Sequence, residues 1–187
     1  MFIQTEQTPN PATLKFLPGE TVMETGTADF RTTDAAERSP LAERLFLLDG
    51  VEGVFLGADF IAVTKGDARD WSVVKPEILG VIMQHYTMGT AMINEAVESG
   101  EDDVQAVAGE DAEIVAKIEE LLETRVRPAV AQDGGDIVFR SFEEGIVYLK
   151  MQGACAGCPS SSAPLKVGIE NLLKHFIPEV KEVRPAE

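Results

Sequence analysis

The stretch NEAVESGEDDVQAVAGEDAE, Asn94 to Glu113, holds eight carboxylates, no base and no aromatic residue. Like charges repel along such a segment, and it offers little apolar surface to bury, so it reads as an extended, flexible linker outside any core. That reading divides the 187-residue chain into a first domain over 1–88, an acidic linker over 89–111 and a second domain over 112–187. The charge follows the same division. Residues 1–94 carry 13 acidic against 7 basic side chains, a net of −6, and residues 114–187 carry 11 against 9, a net of −2. Half of the formal net charge of −16 therefore falls in residues 95–113. Each flank is the size of one small domain.

An apolar fraction of 44% and a charged fraction of 26% are those of an ordinary globular protein. A pI near 4.5 speaks against general nucleic-acid binding, which needs clustered Lys and Arg, and against docking on an anionic membrane. No apolar run approaches the roughly 18–20 residues of a spanning helix. The opening MFIQTEQTPNPATLKF lacks the basic and apolar regions of a secretory signal and the Arg-rich character of a presequence. The expected location is the bacterial cytoplasm, or the mitochondrial matrix for a processed eukaryotic form.

In the first half, Thr13 to Phe16 reads as a strand ended by Pro18-Gly19, with a second strand around Glu20 to Thr25. Ser39 suits a helix N-cap and Pro40 the first helical position, where a missing N–H costs nothing. Leu41, Leu45 and Leu48 continue that helix to Gly50. Val51 to Leu56 and Phe60 to Thr64 flank a turn at Gly57-Ala58-Asp59, as in a hairpin. A last helix runs from about Trp71 to Tyr86, with Val74, Ile78, Val81, Ile82 and His85 on one face and Pro76 in its first turns. In the second half a helix from about Ala112 carries Ile114, Ile118, Leu121, Leu122 and Val126 at helical spacing, is distorted near Pro128 and ends at Gly134-Gly135. Strands Asp136–Ser141 and Ile146–Met151 follow, joined at Glu143-Glu144-Gly145. Ser160, Ser161 and Ser162 offer caps for a helix through Phe176, with Val167, Leu172, Leu173 and Phe176 as its apolar face, and Val180 to Val183 reads as a third strand. The fold class is α+β: two small domains, each a mixed sheet with covering helices.

Cys155 and Cys158 are the only thiols, in the loop Gly153-Ala154-Cys155-Ala156-Gly157-Cys158-Pro159. A pair this close is no secreted disulfide framework. Three chemistries fit it: half of a metal or cluster site, a thiol–disulfide couple, or half of a structural zinc knuckle. The glycines permit close backbone approach, Pro159 stiffens the exit, and the following helix N-terminus favours negative charge, so an exposed pair of lowered pKa is expected. Thioredoxin-type couples open a helix directly after a βαβ strand, whereas this loop follows a hairpin and leads into proline and three serines. Iron–sulfur clusters and structural zinc usually take four ligands. One chain supplies two thiols, and neither His85 nor His175 has ligand spacing to them. The most economical closed site is therefore intermolecular, two chains on a two-fold axis each giving Cys155 and Cys158. Such a site has few enclosing residues and gives up its contents readily.

These residues also carry a family resemblance. Leu122-Glu123-Thr124-Arg125-Val126-Arg127-Pro128, Gln132-Asp133-Gly134-Gly135-Asp136, Gly145-Ile146-Val147 and Met151 through Ser161 resemble the C-terminal NifU (Nfu) domain over about residues 112–184. Pro9-Asn10-Pro11, Leu14-Lys15-Phe16, Ser39-Pro40-Leu41-Ala42, Leu45-Phe46, Gly53-Val54-Phe55, Asp70-Trp71 and Lys75-Pro76 resemble the Nfu N-terminal domain. The resemblance implies a non-enzymatic iron–sulfur cluster scaffold or carrier. It would bind a labile [4Fe–4S] cluster through Cys155 and Cys158, shared in a homodimer, and deliver it to apo client proteins, with an upstream assembly scaffold as a further partner. The nuclearity comes from the resemblance alone, since the spacing fits [2Fe–2S] equally well. The alternative is a thiol–disulfide oxidoreductase using the same pair. The first half shows no nucleophile–base pair, phosphate loop or ligand cluster, so recognition of clients or of the upstream scaffold is its expected role.

Other polar residues have plainer readings. Asp133 and Asp136 read as turn chemistry around Gly134-Gly135, and His85 and His175 as cations complementing helix C-termini. Trp71 reads as a core or docking aromatic, and Arg125 and Arg127 as charges offsetting Glu119, Glu120 and Glu123.

Overall fold

Ser39 and Pro40 start a helix as their chemistry dictates. Ser39 Oγ accepts the Ala42 amide at 3.2 Å, and Pro40 occupies the first helical position. The hydroxyl also donates to the Met92 carbonyl at 2.5 Å, tying the helix start to the end of the first unit. The computed structural model describes residues 1–94, 111–156, 158 and 162–186, and the chain divides into two compact units, 1–100 and 101–187. Residues 95–110, Gly157, Pro159, Ser160 and Ser161 lie outside the described residues, and with them most of the expected linker, the stiff exit and two of the three serine caps.

The first unit is an antiparallel sheet of five strands, β1 (Gln4–Gln7), β2 (Thr13–Leu17), β3 (Ala28–Phe30), β4 (Val51–Leu56) and β5 (Ile61–Lys65), in the order β1-β2-β5-β4-β3. Three helices accompany it: α1 (Thr33–Ala36), α2 (Pro40–Phe46) and α3 (Trp71–Met88). Strand alternation sends Leu14, Phe16, Val54, Leu56, Ile61 and Val63 to one face, where they meet Leu41 and Leu45 of α2 and Val74, Ile78 and Ile82 of α3. On the opposite face Phe55 and Phe60 pack with ring centroids 5.8 Å apart, and the Lys15 ammonium lies 4.7 Å from the Phe60 ring centroid.

No strand forms at Glu20 to Thr25. Instead the amides of Val22 and Met23 both donate to the Ala58 carbonyl, at 2.8 and 3.2 Å, so this segment closes over the hairpin turn. The strands that the sequence pattern misses, β1 and β3, are the two edges of the sheet. Edge strands are short or polar because a long apolar edge invites aggregation, and Gln-Thr-Glu-Gln accordingly has no alternation to read. α2 ends at Phe46, before Leu48.

His85 does not serve the helix dipole. It is 0% exposed; neither ring nitrogen makes a well-formed hydrogen bond among the described residues, and the nearby Thr90 backbone favours its charged form only weakly. Burial first, and the nearby Arg44 charge second, push its pKa below the ordinary imidazole value. The folded state therefore binds this proton more weakly than the unfolded chain, and the stability of the first unit falls as pH drops below about 6.5. Between pH 7.5 and 5.5 the wild type should lose up to about 1.4 kcal/mol more than His85→Leu. Urea unfolding followed by the fluorescence of Trp71, the single tryptophan, measures the difference, and parallel pH profiles would refute it.

The second unit begins with α4 (Asp111–Leu121), a π-helical segment (Leu122–Val126) and α5 (Arg127–Gln132). Pro128 has no amide to offer the Thr124 carbonyl, and its ring would crowd that group. The chain widens by one residue just before it, the Arg127 amide reaching back to the Leu122 carbonyl. A mixed sheet follows in the order β6-β7-β8: β6 (Gly135–Glu143), β7 (Ile146–Gly153) and, after α6 (Ser162–Phe176), β8 (Glu182–Pro185). β6 and β7 are antiparallel, and β8 joins β7 in parallel through the α6 crossover. Positive φ at Glu144 and Gly145, 52° and 89°, makes a tight two-residue hairpin turn. The helices bury Ile118, Leu122, Val126 and Val130 against Ile137, Phe139 and Leu149 of the sheet.

α6 turns inward part of the face expected of it: Leu173 is buried and Leu172 packs against the core. Ile169 and Leu173, four residues apart, are buried, whereas Val167 and Phe176 are exposed. Val167 precedes Ile169 by two residues, about 200° around the helix. Phe176 instead meets the Arg125 guanidinium, 5.1 Å from its ring centroid. The third strand starts at Glu182 rather than Val180, whose buried side chain sits in the preceding turn.

Candidate functional site

The far end of the β6–β7 hairpin holds both cysteines. Gly135 pairs with Gly153 across the ladder, and Gly153, at φ 62°, turns the chain out of β7. The Ala154 amide then donates to the Gly134 carbonyl at 3.1 Å, and the Ala156 amide to the Gly153 carbonyl at 3.2 Å. These bonds fold the loop back onto the start of β6. Both cysteines are thiols and both are buried, Cys155 at 3% and Cys158 at 1% exposure. Cys155 belongs to the core of the second unit. A Cβ at Gly135 would lie 2.7 Å from Cys155 Sγ and 2.7 Å from the Gln152 carbonyl, so only glycine fits there.

The structure thus corrects the expected exposure of both thiols and, for Cys155, the expected low pKa. Burial is the largest influence on Cys155 and, with Asp133, Cys158 and Asp136 nearby, pushes its thiol up to about 12. The helix that was to favour thiolate starts at Ser162, four positions beyond Cys158, and helix-end electrostatics fade within one turn. Desolvation wins, and the apo loop presents Cys155 as a neutral thiol.

Asp133 behaves as turn chemistry: its amide donates to the Val130 carbonyl at 3.1 Å, and that of Gly134 to Ala131 at 3.0 Å. Asp136 does more. It is buried and accepts two parallel bonds from Arg127, at 2.9 Å from Nε and 2.8 Å from Nη2, and a third from the Ile137 amide at 2.8 Å. Arg127 therefore pairs first with Asp136 across to the sheet, with Glu123 adding a weaker attraction, and Arg125 stacks on Phe176. The fork between Arg127 and Asp136 fixes the start of β6, the strand on which Cys155 rests. Its partner across the hairpin, Gln152, is buried with Oε1 unbonded among the described residues. The sequence signal for this arrangement was the run Asp133-Gly134-Gly135-Asp136, whose second glycine supports sulfur rather than a turn.

The histidines do not join the cysteines. His85 lies in the core of the first unit, and exposed His175 sits edge-on to Phe176, ring centroids 5.0 Å apart. Trp71 opens α3 half-buried and donates from Nε1 to the Pro11 carbonyl at 3.0 Å. Among the described residues no group of three or more His, Cys, Asp or Glu side chains is placed to hold a metal ion. Two sulfurs suit iron or zinc by softness but leave a four-ligand set half complete.

Residues 3–89 match the family model described as "Scaffold protein Nfu/NifU N terminal", and residues 118–184 match the "NifU-like domain". The chain is 53% identical over 184 residues to the human "NFU1 iron-sulfur cluster scaffold homolog, mitochondrial", covering 98% of this chain and 71% of that protein. It is 52% identical over 185 residues to "NifU-like protein 4, mitochondrial" of Arabidopsis thaliana, covering 98% of this chain and 65% of that one. A solution structure of a NifU-like protein from Saccharomyces cerevisiae aligns at 28% identity and TM-score 0.46, over 51% of this chain and 86% of the other. The chain belongs to the Nfu/NifU scaffold family.

Gly135→Ala should lower stability by about 1–3 kcal/mol, the usual cost of overpacking, and should speed iodoacetamide labelling of the native thiols. Gly168→Ala, whose added Cβ meets nothing within 4 Å, serves as the control. Equal labelling rates for the two variants would remove Gly135 as the support of Cys155.

Proposed function

We propose that the chain is an iron–sulfur cluster scaffold whose cargo is a labile [4Fe–4S] cluster, held by Cys155 and Cys158 of two protomers and passed to apo client proteins. The observation that carries this reading is the pair of adjacent buried thiols in a chain whose described residues offer them no further ligand. The relatives' names, cluster scaffolds and NifU-like proteins, agree with it. Release by ligand exchange follows: incoming client thiolates replace the cysteines one at a time, with no covalent catalysis. The first unit, joined through an acidic linker, acts in recognition of clients or of an upstream scaffold. The relatives' mitochondrial names favour the matrix as the site of action, and among the described residues no helix is long and apolar enough to cross a membrane.

Anaerobic reconstitution with ferrous iron and sulfide tests the proposal. Wild type should take up about four irons and four sulfides per two chains, and Cys155→Ser and Cys158→Ser should each abolish retention. Insulin reduction by the wild type without iron uptake would instead establish the thiol–disulfide alternative.

A further inference from the structure

α6 opens four positions beyond Cys158, so its first turns are the regular element nearest in sequence to the second thiol. Its buried stripe runs through Ile169 and Leu173. The opposite stripe, Ala163, Pro164, Val167, Gly168 and Asn171, is exposed, and Val167 is 57% so. These positions, spaced by three and four, form one continuous strip along the helix. It is uncharged and low in relief: a Cβ added at Gly168 would meet nothing within 4 Å. Between Ser162 and Ile169 there is no carboxylate and a single base, Lys166, in a chain whose acidic residues outnumber its basic ones 32 to 16.

We propose that this strip of α6 is the surface through which two copies of the chain meet when their cysteines complete one cluster. The inference rests on the bridged-cluster reading above and adds the contact surface to it. A second copy is the occupant that the observations favour. The thiol pair lacks half its ligands among the described residues, and the missing half is another Cys155 and Cys158. Whatever brings those two sulfurs in must lie against the elements flanking the loop, and this strip is an exposed, uncharged surface on the helix that follows the loop in sequence. Two-fold symmetry sets the same strip of each copy against the other, so the contact has to be self-complementary. An acidic face would repel its own copy, and a bulky one would hold the backbones apart. Small, uncharged residues do neither.

The full-length protein, reconstituted anaerobically and examined by iron analysis and native mass spectrometry, provides the test. Val167→Glu places two like charges in the contact and should weaken the cluster-bound dimer at least about ten-fold, with circular dichroism unchanged. Gly168→Glu should do the same while melting no lower than wild type, because glycine is the poorer helix former. Mixing Val167→Glu with Val167→Lys should restore a cluster-bound heterodimer, which a merely structural defect cannot explain. Wild-type cluster retention and dimer mass in both glutamate variants, or no rescue in the mixture, would overturn the assignment of this surface and leave the bridged cluster standing. A wild type that holds its cluster as a monomer, or takes up no iron, would overturn both. Weakened clients' activation with intact dimers would assign the strip to client docking and so reject it as the self-contact.

Discussion

Cys155 is buried where it is because Gly135 has no side chain. Sulfur occupies the space that any other residue would fill, 2.7 Å from where a Cβ would stand. Everything around the site serves to keep that glycine in place. Asp136, next in the chain, is held in a two-pronged bond by Arg127, and Arg127 lies where it does because the helix widens by one residue ahead of Pro128. A proline that the sequence marks as a defect is therefore part of what positions the thiol, and the ion pair it enables ties helix to strand at the point of greatest need. Removing either partner would leave the other partly or wholly buried without its counter-charge.

The electrostatics around Cys155 are those of a protected thiol rather than a reactive one. Burial outweighs the helix end, and the neighbouring carboxylates add to it. A redox thiol needs an accessible, low-pKa sulfur, and Cys155 is buried with its pKa raised. A scaffold needs two sulfurs fixed in position and shielded until cargo arrives, and the geometry suits that use.

The sequence was legible where local chemistry and burial agree. Ser39-Pro40, the β4–β5 hairpin, α3 and the β6–β7 hairpin all follow from caps, turns and alternation. Legibility failed at edges and in long-range pairings. β1 is polar and β3 is only three residues long, so neither shows an alternation to read even though Phe30 is fully buried, and their register is set by the neighbouring strand. The face of α6 was legible at Leu172 and Leu173, but Val167 and Phe176 look like core residues by type and lie outside, while Ile169 completes the buried side. The position of the cysteines in a strand-to-helix loop was legible, but their burial depended on main-chain bonds from Ala154 to Gly134, twenty residues apart, that no spacing rule reports.

The parallel pairing of β7 with β8 bears on the order of assembly. The β6–β7 hairpin closes through a two-residue turn and needs only short-range contacts. β8 reaches its place only after the loop and the whole of α6 have been laid across, a slower event because more chain entropy is lost before the contact is made. The thiols lie at the seam between these two stages. On that ordering the hairpin that carries Gly135 would form before the last strand docks.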